Sequence, residues 1–209
     1  TYGEWLQGHV ADAGILTHDF DRWAQFYREN GASGEMAESV QAIRSSFADP
    51  WYKLPKSVRR IQDGETFAIG GNDWQVITGA GHTHEHASLW CERLNVLISG
   101  DQILPRISSN IGLFYTEPDG NPLLHYFESF EKFRHLPEDA LVLPSHDYPF
   151  RGLHGRLDDL RAHHQVRLDA AWEVCSEPRT ATEVIPALFD REIGAFEYSF
   201  AIGETLAHL

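Results

Sequence analysis

Three side chains that can bind a metal each come directly after a short apolar run that ends in a small residue. WQVITGAG leads into His82, NVLISG leads into Asp101, and ALVLPS leads into His146. Two imidazoles and one carboxylate suit Zn²⁺, Fe²⁺ or Mn²⁺, and the histidines favour zinc. The pattern predicts a metal site that these three residues share.

The apolar runs before these side chains are typical of β-strands. Loops at one edge of a sheet lie close together even when they are remote in sequence, so side chains on them can converge. Gly81, Gly100 and Ser145 directly precede the three candidates, and such small residues let the backbone turn sharply without crowding the site. We therefore expect three strand ends to meet at one edge.

The strand region begins near residue 58. SVRRIQDGETFAIGGNDWQVITG is typical of a strand, an Asp-Gly turn, a strand, a Gly-Gly-Asn turn and a third strand. ASLWCERLNVLISG predicts a hairpin-like pair, and NPLLHYFESFEKFRHL has helical spacing. TATE, at residues 180–183, is a capping box that opens another helix.

Helical spacing dominates both ends of the chain. Residues 1–50 have helical spacing, with Trp23, Phe26 and Tyr27 at i, i+3 and i+4. From about Gly152 onward the pattern is helical to the end. Strands that alternate with helices favour an α/β layered domain followed by a small all-α extension. We place the first domain at residues 1–152 and the helical extension at residues 153–209.

Three motifs, taken in order, resemble those of the metallo-β-lactamase fold superfamily, most closely its glyoxalase-II-like hydrolases. GHTHEH resembles the G-H-T-x-G-H loop of that family, ISGD its S/T-G-D strand end, and LPSHDYPF its P-G-H turn. The resemblance covers roughly residues 60–155. It implies an incomplete αββα sandwich, followed by a small all-α, winged-helix-like C-terminal domain.

The resemblance also implies a role for each matching residue. His82 would bind a first metal, Asp101 would bridge two metals and orient the attacking hydroxide, and His146 would bind the second metal. His86 matches a motif position that supports the site without binding metal. His84 stands where the family has proline, a departure that the sequence does not explain. It is a further candidate for a place next to the ligands or beside the substrate.

An upstream H-x-H-x-D-H motif, which supplies the other ligands in the family, does not occur in the chain. We therefore expect a fragment that starts downstream of that motif. The intact family site holds two zinc ions, whereas this chain would hold one or none; iron and manganese remain alternative metals.

An alternative interpretation takes HTHEH, at residues 82–86, as a shortened version of the upstream motif. No later loop of the G-H-T type would then precede Asp101.

The function implied by the resemblance is hydrolysis of an ester, lactone or thioester in a small-molecule substrate through a metal-bound hydroxide. We expect the parent protein, rather than these 209 residues alone, to be active. An oxidative enzyme of the same fold with one iron ion is an alternative. Arg106 and Asn110 follow the bridging Asp101 and are candidates for substrate contact, although a surface salt bridge would also explain Arg106.

Composition limits the partners. The 31 Asp and Glu residues outnumber the 17 Lys and Arg residues, for a formal charge of −14, which opposes binding to nucleic acid or to anionic membrane surfaces. No apolar run approaches the roughly 18 residues of a membrane span. Two isolated cysteines, Cys91 and Cys175, fit a reducing cytoplasm.

The C-terminal helices offer a different class of function. A winged-helix module that binds nucleic acid, or a protein without catalysis, is the alternative to the hydrolase. Only Arg179 and Arg191 oppose five acidic residues after residue 177, which is not the basic stripe of a DNA-reading module. We expect this region to pack on the rest of the chain, to cover the substrate cleft or to form a homodimer.

Two adjacent histidines in the predicted long helix, His163 and His164, are weaker candidates for metal binding. Neighbouring helical positions point about 100° apart, so the two rings cannot easily share an ion. His164 lies on the face of Leu157 and Leu160, and we predict a hydrogen-bonded core histidine there.

Overall fold

A computed structural model describes residues 20–46 and 59–209 of the chain. Six helices and five strands lie in these ranges. The helices are α1 (Phe20–Glu29), α2 (Gly34–Ser46), α3 (Pro122–Phe133), α4 (Leu153–Val174), α5 (Ala181–Leu188) and α6 (Ala195–His208). The strands are β1 (Thr66–Ile69), β2 (Asn72–Gly79), β3 (His86–Cys91), β4 (Val96–Gly100) and β5 (Leu141–Pro144).

The five strands form one mixed sheet in the order β1-β2-β3-β4-β5. The first four pair antiparallel, and β5 pairs parallel with β4. A parallel neighbour needs a crossover connection, and the segment between β4 and β5 contains α3. The directions of β2, β4 and β5 are therefore the same.

Two tight turns fix the register of the hairpins. Gly70 and Gly71 both have positive φ, as a two-residue turn of type I′ requires, and they join β1 to β2. Asn95, with φ of 51°, closes the short 3₁₀ turn between β3 and β4. Both predicted hairpins are confirmed.

The strand predicted before Asp63 is wrong for residues 59–62, which lie outside any strand. The N–H of Glu65 donates to the carbonyl of Gln62 at 3.0 Å and closes a turn there. The chain joins the sheet only at Gly64, whose N–H donates to the carbonyl of Val76 at 2.8 Å. The predicted Asp-Gly turn is therefore present, whereas residues 59–62 before it form no strand.

The described residues form two compact units. The first comprises residues 59–109 and 124–163, and the second comprises residues 20–46, 110–123 and 164–209. The first unit contains the sheet, most of α3 and the beginning of α4. Its core consists of fully buried side chains from the strands and helices, among them Val76, Leu97, Phe130, Phe133, Val142, Leu153 and Leu157.

The second unit is built from helices at both ends of the chain. Trp23 and Tyr27 of α1 are buried in one cluster with Ile185 of α5 and Ile202 of α6. The helix predicted around Trp23 and Tyr27 is confirmed, whereas residues 1–19 and 47–50 of the predicted helical region lie outside the described residues. Because the first helices share a core with the last ones, the two units do not follow sequence order, and the domain boundary at residue 152 stays a prediction.

The capping box before α5 is confirmed. Thr180 caps the helix through the N–H of Glu183, and the Glu183 carboxylate accepts a hydrogen bond of 2.7 Å from the N–H of Thr180. The described part of the chain contains no helix with both the length and the apolar character needed to cross a membrane.

Candidate metal centre

The three candidate ligands follow three strands that run in the same direction. His82 lies in the loop after β2, Asp101 directly follows β4, and His146 comes two residues after the end of β5. Since these strands are mutually parallel, their carboxyl ends lie at one edge of the sheet. The expected convergence of strand ends is what the structure contains.

The side chains meet at the carboxylate of Asp101. Nε2 of His82 lies 3.5 Å from Oδ2, and Nε2 of His146 lies 3.2 Å from Oδ1. Zinc binds histidine nitrogen and carboxylate oxygen at about 2.1 Å, so two ligand atoms on one tetrahedral ion are about 3.4 Å apart. Each of the two nitrogen–oxygen pairs therefore has the separation of two atoms that bind a common ion.

The surroundings keep the Asp101 carboxyl group ionised. His82 donates a hydrogen bond to it, and this lowers the pKa of Asp101 well below its usual range against the opposing effect of burial. The hydroxyl of Ser145 and the charges of His82 and His146 lower the pKa further. A metal ligand must be deprotonated, so the carboxylate is already in the form that binds a cation.

The two histidines approach different oxygens of the carboxylate, as they would if Asp101 bridged two ions. Within residues 20–46 and 59–209, no three His, Cys, Asp or Glu side chains are placed so that they could hold one metal ion together. A catalytic zinc has about three protein ligands. The donor set would therefore supply part of a two-metal site, one histidine for each ion and a shared carboxylate, and the described residues do not complete that site.

The sequence profile of the metallo-β-lactamase superfamily matches residues 8–146, which is more than half of the chain and includes all three candidates. The chain belongs to the metallo-β-lactamase superfamily. A second profile, that of the metallo-β-lactamase-like C-terminal domain, matches residues 168–209. The predicted family and its α/β fold are confirmed.

Individual metallo-β-lactamase relatives cover different shares of the chain. A solved beta-lactamase domain protein from Burkholderia ambifaria is 38% identical with a TM-score of 0.84, over 100% of this chain and 58% of that one. A hydroxyacylglutathione hydrolase from Rhodospirillum rubrum is 28% identical over 122 residues, 58% of this chain and 45% of the relative. The probable metallo-hydrolase YqjP of Bacillus subtilis is 25% identical over 197 residues, 87% of this chain and 56% of the relative. The chain spans about half the length of the curated relatives it matches.

His86, which the sequence predicts to support the site without binding metal, contacts the backbone of Asp101. Its Nε2 accepts a hydrogen bond of 3.1 Å from the Asp101 N–H. The ring lies so close to Gly100 that a Cβ added there would be 2.6 Å from His86 Cε1, and Gly100 has a φ of 54°. The glycine of the S/T-G-D motif is therefore needed both for its backbone conformation and for the space that the His86 ring occupies.

Of the three remaining candidates, two have exposed side chains and one belongs to the other unit. His84 and Arg106 are exposed side chains of the first unit. Asn110 is half-buried and belongs to the second unit. Their proposed roles beside the substrate stay predictions.

Sequence reasoning missed four residues that hold the loop of Asp101. Ser145 donates to Oδ1 of Asp101, and the Ser109 hydroxyl donates to its carbonyl. Gln102 and Arg156 hold the loop through backbone carbonyls. One signal was available: Ser145 stands where the metallo-β-lactamase P-G-H turn has glycine.

Proposed function

We propose that the protein containing this chain is a metal-dependent hydrolase that cleaves a thioester, an ester or a lactone in a small molecule. The observation that carries the proposal is the Asp101 carboxylate, which is held ionised with a histidine nitrogen facing each of its oxygens. Membership of the metallo-β-lactamase superfamily supports a hydrolase.

His82 with Oδ2 of Asp101 would hold one zinc ion, and His146 with Oδ1 would hold another. When bound, zinc would lower the pKa of water and polarise the carbonyl of the substrate. Asp101 supplies negative charge between the two positions, and Ser145 and His86 fix the carboxylate and the backbone that carries it. We propose that further ligands come from outside the described residues.

Among the three bond types, the thioester has the most support. The relative from Rhodospirillum rubrum is named as a hydrolase of hydroxyacylglutathione, in which the acyl group is carried on sulfur. The identity of 28% leaves the acyl and thiol parts of the substrate unspecified for this chain. The homodimer and the cytoplasmic location expected from the sequence stay predictions.

The test uses the full-length protein, because the chain spans about half of its curated relatives. Zinc content after dialysis is measured for the wild type and for His82→Ala, Asp101→Asn and His146→Ala. His84→Ala is the matched control, since this histidine lies in the same loop but is exposed. We expect the first three variants to lose zinc and the control to retain it.

Activity is measured on one thioester, one ester and one lactone with related acyl groups. Loss of hydrolysis together with zinc in the three ligand variants would support the proposal. A wild-type protein that binds no zinc, iron or manganese would overturn it, as would unchanged metal content in His82→Ala and His146→Ala.

A further inference from the structure

Gln102 directly follows Asp101 and is completely buried. A buried amide is costly unless it forms hydrogen bonds. Its Nε2 donates one hydrogen bond of 3.2 Å to the carbonyl of Ala80 and another of 3.0 Å to Oγ of Ser129. Both acceptors lie far away in sequence, so the side chain joins three separate segments of the first unit.

The backbone of Gln102 is held as firmly as its side chain. Its N–H donates to the carbonyl of Ser99 in β4 at 3.1 Å, and its carbonyl accepts a hydrogen bond of 3.2 Å from the hydroxyl of Tyr126 in α3. The base of the side chain is therefore fixed to the end of β4 and to α3. Movement of the Gln102 backbone relative to β4 or α3 would break one of these two bonds.

The acceptor Ala80 lies two residues before His82. The hydrogen bond from Gln102 thus connects the residue after one candidate ligand to the loop that carries the other. The same two segments carry His82 Nε2 and Asp101 Oδ2, which are 3.5 Å apart. The Gln102 side chain is therefore one link between the loop and the Asp101 segment, and the hydrogen bond from the Asp101 N–H to His86 is another.

Gly79 provides the space for this connection. A Cβ added at Gly79 would overlap the amide of Gln102, although the backbone of Gly79 does not have positive φ. Glycine is therefore required at this strand end by close approach, not by an unusual backbone conformation.

We propose that Gln102 is a positioning residue that sets the separation of His82 and Asp101 and hence the affinity and geometry of the metal between them. The proposal rests on the proposed function, because it needs a metal at this pair. Replacing a residue that orients a metal ligand without binding the metal itself typically lowers metal affinity by about 10–100-fold. Loss of the Gln102 donor should have an effect in that range.

The experiment titrates Co²⁺ into the metal-free full-length protein and records its visible absorption spectrum, which reports the coordination geometry. Gln102→Met keeps the length of the side chain and removes the donor. Ser129→Ala is the control, since it removes the other acceptor and leaves the bond to Ala80. We expect Gln102→Met to bind Co²⁺ about 10–100-fold more weakly with an altered spectrum, and Ser129→Ala to resemble the wild type.

Thermal unfolding of the metal-free proteins separates positioning from general loss of structure. If Gln102→Met does not fold, Gln102→Asn gives the same measurement, because it keeps the amide but is too short to reach Ala80. Wild-type affinity and spectrum in the folded variant would overturn the role of Gln102 and leave the proposed function intact. A wild type that binds neither Co²⁺ nor zinc, iron or manganese would instead overturn the proposed function, and the inference with it.

Discussion

The hydroxyl of Ser145 donates a hydrogen bond to Oδ1 of Asp101, the same oxygen that His146 Nε2 approaches to 3.2 Å. The N–H of Ser145 also donates to the carbonyl of Gly100 at 3.1 Å. Ser145 is therefore bonded both to the Asp101 side chain and to the peptide group that precedes Asp101. The glycine of the family's P-G-H turn has no side chain that could make the first bond. Serine therefore gives this chain an additional donor to the carboxylate.

Ser145→Ala should raise the pKa of Asp101, because the Ser145 hydrogen bond helps to lower it. Zinc binding at the pair of Asp101 and His146 should weaken by about tenfold, since the carboxylate loses a group that orients it. A carboxyl NMR titration of the metal-free protein measures the first effect, and competition with a chelator measures the second. Ser108→Ala, a serine of the same unit outside this cluster, is the control; equal Asp101 pKa values in the two variants would contradict the prediction.

Gly100→Ala should be strongly destabilising. An alanine with φ near 54° costs about 1–2 kcal/mol, and the clash of its Cβ with the His86 ring adds about 1–3 kcal/mol. Gly70→Ala is a matched control, because its φ is 59° and the added Cβ would have nothing within 4 Å. Urea unfolding of both variants gives the comparison, and an equal loss of unfolding free energy would show that the contact with His86 contributes nothing.

The metal-binding candidates could be predicted from sequence because metal chemistry restricts the ligand types, and apolar runs before them locate the strand ends. The residues behind the ligands could not be predicted in this way. Gln102 and Arg156 bond to the carbonyls of Ala80 and Leu104, and every residue type has such a carbonyl. The residue types of the acceptors therefore do not indicate these hydrogen bonds, which can be identified only from the folded backbone.

In the helical unit, the individual helices could be predicted from the sequence but their packing partners could not. Its individual helices were predictable from spacing, and His164 is confirmed as a buried histidine whose Nδ1 lies 3.0 Å from His208 Nε2. That Trp23 and Ile202 share one core was not predictable. Periodicity identifies the apolar face of each helix but does not identify the helix that covers it.

Stability should fall as the pH rises through the titration of Glu204. Burial raises the pKa of Glu204 from 4.5 to about 7, although Arg167 forms an ion pair with it. Between these two values the folded chain keeps a proton that the unfolded chain has released, so the unfolding free energy decreases with rising pH. The loss over the whole window is roughly 3 kcal/mol.

Glu204→Gln removes this titration, whereas the histidines packed nearby, His164 and His208, are retained. Urea unfolding of both proteins at several pH values between 4.5 and 7.5 isolates the contribution of Glu204. The stability of the wild type relative to the variant should decrease across this range. A constant difference would show that Glu204 has its ordinary pKa in the folded chain.

Arg156 should hold the segment that follows Asp101. Its Nε donates to the carbonyl of Leu104 at 2.6 Å, and a terminal nitrogen donates to the carbonyl of Ile107 at 2.9 Å. A hydrogen bond from a charged donor contributes about 1.5–3 kcal/mol when it is shielded from water and less when it is partly exposed. Because the Arg156 side chain is partly exposed, we expect Arg156→Met to lower the unfolding free energy by about 2 kcal/mol. It should also increase amide hydrogen exchange at residues 103–108. Arg161→Met, on the same helix, removes an arginine that bonds to the carbonyl of Phe127 instead, so faster exchange at residues 103–108 in that variant as well would refute a specific role for Arg156.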